Sequence, residues 1–220
     1  MINDRLPDEY GMQPRRASSI RNRIWLVMLG LLAGAVITVF LIRWSNHRSR
    51  YILDAAAKHR IEREVAELLT ANDKSKYLRS VFEADQAVRV GEQEALGLAG
   101  YDSPEHKAAW KAINDTDKVN GYRMDLYLSA FGYPSDTSWG TLAIHAPWAV
   151  LHHSSWDERR ARWIPELLEA YRKGILDGGA MAMFLERSYL DIHGVAFDSS
   201  GLQDDEAIDR LVKALSADGL

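Results

Sequence analysis

The chain has 220 residues, 47% of them apolar and 26% charged, a balance that fits a folded protein and excludes a disordered chain, a collagen and a low-complexity tail. It contains no cysteine, so disulfides, zinc knuckles, iron–sulfur clusters and thiolate nucleophiles are excluded, and any chemistry falls to histidine, carboxylate, hydroxyl or lysine. The net charge of −4 conceals a split: residues 1–50 hold eight arginines against Asp4, Asp8 and Glu9, while the rest is acidic, which argues against a nucleic-acid-binding main domain.

Residues 1–23 carry Pro7, Pro14 and scattered charges without an apolar period, and are expected to form a flexible basic tail. From Ile24 to Ile42 the sequence reads IWLVMLGLLAGAVITVFLI, nineteen residues without a charge. As a helix at ~1.5 Å per residue this run spans about 28 Å, close to the hydrocarbon thickness of a bilayer. Trp25 and Trp44 stand near its ends, where an indole buries its ring and keeps its N–H wet, and Arg21, Arg23 and Arg43 end the apolar run abruptly. A transmembrane helix over 24–42 is expected, with the lipid bilayer as its first partner. A cleaved signal peptide fits less well, because the small-residue triplet Ala33-Gly34-Ala35 lies inside the apolar run. Gly30 and Gly34 form a G-x-x-x-G pair that lets a second helix backbone approach in lipid, although glycines are also common in membrane helices for no such reason. Arginines on the two flanks balance, so the orientation rests on the tendency of a single anchor near the N-terminus to export the domain C-terminal to it: tail inside, acidic domain outside.

Residues 51–70 place Leu53, Ala57, Ile61, Val65, Leu68 and Leu69 on one helical arc, with opposite charges four apart at Arg60/Glu64 and Arg63/Glu67. This predicts a juxtamembrane helical stalk over 43–72, broken at Asn72-Asp73. Tyr77, Val81, Ala84 and Val88 then recur at helical spacing until the glycine-containing stretch 91–102. Ser103-Pro104-Glu105 supplies an N-cap, a proline at the first helical position and an acid in the first turn. Further helices are predicted over Asp117–Phe131, Trp139–His153 with a kink or shortening at Pro147, Pro165–Arg172 behind a capping box at Ser155-Trp156-Asp157-Glu158, and Met181–Leu190. A C-terminal helix presents Ile208, Leu211, Val212 and Leu215 on one face. The expected fold is all-α: one N-terminal transmembrane helix, a helical stalk, and a compact multi-helix extramembrane domain over 73–220.

Several polar groups stand out against these helices: Asp85-Gln86-x-x-Arg89, Asp117-x-x-Asn120, Gly132-Tyr133-Pro134, Trp139-Gly140, His152-His153 and Ala182-Met183-Phe184-Leu185-Glu186-Arg187. In this order, over residues 78–195, they resemble an uncharacterised bacterial family known only as a domain of unknown function, whose members are often exported or membrane-anchored. The family commonly has Gln-His where this chain has His152-His153 and Asp-Arg where it has Glu186-Arg187. It often carries a Tyr-Gly-Thr-Gln type segment where Gly194-Val195-Ala196-Phe197 stands here. The resemblance implies a bacterial, exported or membrane-anchored protein with no established activity; joined to the anchor orientation above, the expectation is an inner-membrane protein with a cytoplasmic N-terminus and a periplasmic domain.

Two functions fit. In one, the chain is an accessory or scaffold subunit without cofactor or metal, bracing other integral membrane proteins of a larger complex. In the other, it is an anchored periplasmic enzyme, a hydrolase, using His152, His153 and Glu186 around a pocket. His145 and His152 share a helical face, but their spacing matches no established metal-ligand pattern such as H-E-x-x-H. Asp85, Gln86, Arg89, Asp117, Asn120, Glu186 and Arg187 read either as a polar active-site cluster or as buried ion pairs and caps that fix how small helices dock. A histidine pair packed against Trp148 favours the scaffold; a pocket lined by those side chains favours the enzyme.

Overall fold

The computed structural model describes residues 53–154 and 158–217. The tail 1–23, the apolar run 24–42 with Trp25, Gly30 and Gly34, the flank with Trp44, and three residues of the expected capping box, Ser155, Trp156 and Asp157, lie outside the described residues. Among the described residues the chain is all-α, with seven α-helices and no strand, and no helix is long and apolar enough to cross a membrane.

Helix α1, Ala55–Ala66, starts where the Asp54 carboxylate accepts a hydrogen bond from the Ala57 amide. It ends four residues before α2, Ala71–Ala99, because Thr70 and Asp73 form a reciprocal capping box there. The break expected at Asn72-Asp73 is therefore displaced: both residues sit in the first turn of α2. The 91–102 stretch does not end α2 either. Gly91 and Gly97 stay helical, and only Gly100, at φ +83°, turns the chain. Ser103 then caps α3, Pro104–Phe131, with Pro104 in the first turn, so the two helices expected over this region are one.

A short 3₁₀ turn, Thr137–Trp139, precedes α4, Thr141–His153, which runs through Pro147. Helix α5 covers Glu158–Arg172 and holds Pro165 in its interior, not at its start. Helix α6, Gly178–His193, is capped by Asp177 and closed by Gly194 in the left-handed region. Helix α7 covers Asp204–Ala217.

Helices α2 and α3 form a long antiparallel hairpin. Tyr77 stacks on Tyr127 at the inner end, the Asn120 amide donates to the Val81 carbonyl in the middle, and His106 meets Glu92 towards the tip. Helix α4 packs against both, α5 and α6 follow it, and α7 closes on α6. The core lies among Leu78, Met124, Leu151, Leu167, Phe184 and Leu211, all fully buried. The apolar arc of α1 is not left free. Ile61 and Val65 are buried, Glu64 takes a hydrogen bond from Arg123 at 3.1 Å, and Glu62 takes one from the Tyr122 hydroxyl at 2.8 Å, so α1 packs on α3 as part of the domain.

Candidate functional site

Asp85 is the centre of the polar cluster. Helical spacing turns it inward with Leu78 and Val81, and it has no exposed surface. Its Oδ2 accepts from Gln86 Nε2 at 2.8 Å, Arg89 Nε at 3.3 Å and His153 Nδ1 at 2.9 Å, and its Oδ1 accepts from Arg89 Nη2 at 3.0 Å. The same Arg89 Nη2 donates to Asp117 Oδ1 at 2.6 Å. Three helices are thus fastened at one point: α2 through Asp85, Gln86 and Arg89, α3 through Asp117, and α4 through His153.

Burial pushes the Asp85 carboxyl up, but hydrogen bonds and charge from His153 and Arg89 outweigh it and hold the group below its usual range. Asp85 is therefore an acceptor only, and His153 must present Nδ1–H to it. Asp117 moves the other way. Burial raises it, Asp85 adds to the rise, and Arg89 offsets only part.

His152 has a different environment. Its ring stacks on Trp148 at 5.4 Å and 20°, and the Trp148 indole donates to the Ala180 carbonyl at 2.7 Å, which ties α4 to α6. Burial, followed by the charges of Arg187, His153, Arg160 and Arg89, pulls the His152 imidazole down to about 3. It is neutral at physiological pH, and its buried Nδ1 has no hydrogen-bond partner among the described residues. His145 stands edge-on to the same indole at 6.1 Å, with Nε2 3.8 Å from Asp177 Oδ2.

The residues singled out in sequence are thus largely brought together, but not in the expected pairing. Asp85, not Glu186, is the carboxylate of the histidine pair. Glu186 accepts instead from the Ser199 hydroxyl at 2.6 Å, and Arg187 is exposed beside His152. Asn120 is buried and accepts from Arg123 at 3.5 Å. Among the described residues, no group of three His, Asp or Glu side chains is placed to hold a metal ion.

Chemically, His153 on Asp85 has the geometry of a general base and its orienting carboxylate. Yet Asp85 is saturated by donors, and His152 is packed against tryptophan. Two concavities of about 230 and 240 Å³ lie elsewhere, one along Tyr133, Pro134 and Glu166, the other between α5 and α7 along Leu168 and Val212, and a shallower one of about 310 Å³ touches the cluster only at Asn120, beside Ala84 and Arg123.

A second buried ionic centre lies outside the residues singled out in sequence. Arg160 is fully buried, donating to Asp191 Oδ2 at 2.8 Å and to the Ser154 carbonyl. Arg159 reaches Asp125 at 2.6 Å, and the Trp163 indole donates to the other oxygen of that carboxylate at 2.9 Å.

No protein-family model matches the chain, no curated protein matches it, and no solved structure matches it. The functional reading therefore stands on the residues themselves.

Proposed function

We propose that this protein is a single-pass, membrane-anchored accessory subunit that braces a larger integral membrane assembly. Its tail lies in the cytoplasm of a bacterial cell and its helical domain in the periplasm. The observation that supports this best is the saturation of Asp85: the most elaborate polar centre of the domain spends its donors on holding α2, α3 and α4 together. The uncharged run Ile24–Ile42 supplies the anchor, and Gly30/Gly34 the close-packing face for a neighbouring membrane helix. Purification of the full chain in mild detergent is expected to recover it with other integral membrane proteins, and truncation of residues 1–50 to abolish that recovery. A chain that purifies alone as a monomer overturns the reading.

The enzyme reading retains one specific observation, the His153–Asp85 dyad with 20% of the His153 side chain exposed. In that reading His153 is the base of a periplasmic hydrolase, with His152 and Glu186 outside the reacting pair. Hydrolysis of an ester or amide probe by the purified full chain, lost in His153→Ala and kept in His152→Phe, would establish it.

A further inference from the structure

Glu166 Oε2 is the one carboxylate oxygen, among the described residues, that is sealed from solvent and has no hydrogen-bond partner. Asp85, Asp117, Asp125 and Asp191 are each met by an arginine. An anionic oxygen taken out of water without a donor is costly, and Glu166 keeps that cost beside a cleft.

Glu166 is half-buried on α5 and lines the cleft of about 230 Å³ along Tyr133 and Pro134. The cleft forms where two helices stop. Gly132, at φ +69°, ends α3 and leads into Tyr133-Pro134-Ser135, and Gly174, at φ +68°, turns the chain just after α5. Gly132-Tyr133-Pro134 is a group singled out in sequence that the Asp85 centre leaves unused. The Tyr133 hydroxyl is spent on the Ile144 carbonyl at 2.8 Å, so this residue contributes a held ring to the wall. Pro134 and Ala170, both buried, add apolar surface.

Charge selects the class of occupant. Three charged side chains line the cleft, Glu166, Glu169 and Lys173, and Lys173 donates to Glu169 four residues away on the same helix. That pair cancels. Glu166 is left as the unbalanced charge, and it is negative. Among the described residues no three His, Asp or Glu side chains are grouped to hold a metal ion, which turns the choice to an organic cation. One carboxylate, an aromatic ring and a short apolar wall suit an ammonium on an aliphatic stem. The volume lies below the usual range for larger ligands, so the stem is a few carbons long. The sealed oxygen is not locked away from such a group, because the terminal torsion of a glutamate is broad and a half-turn exchanges its two oxygens.

We propose that the cleft between the turn after α3 and the end of α5 binds a small primary alkylammonium, with Glu166 as its charge-assisted acceptor. The site gives the domain a ligand in addition to its bracing role, and it stands whether or not the anchor reading does.

The full chain in mild detergent is titrated with n-butylammonium by ligand-observed NMR, beside n-butanol as the uncharged analogue and tetramethylammonium as a cation without N–H. Butylammonium is expected to bind saturably with a Kd of about 1 mM or tighter, and the other two about tenfold more weakly or worse. Glu166→Gln keeps the shape, removes the charge and loses about tenfold or more, whereas Glu94→Gln, an exposed carboxylate far along α2, leaves affinity unchanged. Ser135→Tyr, at an exposed residue of the cleft, blocks entry with Glu166 intact, and decides the site alone should Glu166→Gln fail to fold. Absence of saturable binding, equal binding of butanol or tetramethylammonium, or affinity that survives either Glu166→Gln or Ser135→Tyr overturns the site. Displacement by magnesium chloride beyond that by sodium chloride of equal ionic strength overturns the assignment to an organic cation. Co-purification with membrane proteins bears on none of these outcomes, so the site and the anchored-subunit reading fail separately.

Discussion

The two halves of the α2–α3 hairpin are built from the same pair of helices and behave as different materials. In the inner half, α4 lies across the pair, and Leu78, Val81, Met124 and Tyr127 are buried while Asp85 is enclosed among donors. In the outer half, on α2 beyond Asp85, no residue is fully buried, and the hairpin is pinned across by Arg89 with Asp117 and by Glu92 with His106. Helix propensity and antiparallel pairing are shared. Coverage by a third helix is what converts a pairing into a core, because it removes the second face from water.

The contrast is sharpened most by truncating a side chain on each side of it. Leu78→Ala is expected to cost about 3 kcal/mol or more, through lost burial and a cavity that α4 cannot fill, read as a fall in the urea midpoint at unchanged slope. An equal loss at Leu98→Ala would erase the distinction. Asp85→Ala comes next, at about 2–3 kcal/mol, because it strands Arg89 and His153, both partly exposed, without their shared acceptor. Asp85→Asn should recover part of this loss, since the amide oxygen still accepts from His153.

A smaller effect is readable through pH. The His152 imidazole sits near 3 when folded and near 6.5 when unfolded, so below pH 6.5 the unfolded chain binds a proton that the native chain refuses. Stability is complete above that value and is lost progressively as pH falls towards 3. After allowance for partial solvent screening the loss is about 1 kcal/mol per pH unit between 6 and 5, and His152→Phe should abolish it. Asp85, held low, adds its own loss only as pH falls below the ordinary carboxylate value, while Asp117, held high, contributes in the opposite sense, gaining stability as pH falls towards that value from above. Smallest of all, Leu98→Ala should change the urea midpoint of the full chain by less than about 0.5 kcal/mol. A larger change would mean that the outer half is a core in disguise.

Much of the architecture was readable in residue order. The all-α class and the Ser103-Pro104 helix start follow from spacing and capping chemistry. The helix ends read from glycine did not. Gly91 and Gly97 cost a helix only their intrinsic preference, and pairing with α3 carries α2 past them. Asn72-Asp73 looked like a break because both residues favour turns, yet Asp73 works as the third residue of a capping box. Among the site residues, Asp85, Gln86, Arg89 and Asp117 lie on two helices whose antiparallel pairing makes them neighbours. The Glu186 partner, Ser199, lies in a loop with no periodicity, so nothing in the spacing could have separated Glu186 from the histidines.

Arg160 carries a consequence for how the domain assembles. Its guanidinium is sealed from water with Asp191 of α6 and the Ser154 carbonyl at the end of α4 among its partners. A bare guanidinium cannot be desolvated cheaply, so neither contact can form far ahead of the other. The charge acts as an interlock: a state with α5 docked on α4 but α6 still loose lacks the bond from Arg160 to Asp191 and is penalised. These helices are thereby made to order together, and a half-built domain is denied a resting point.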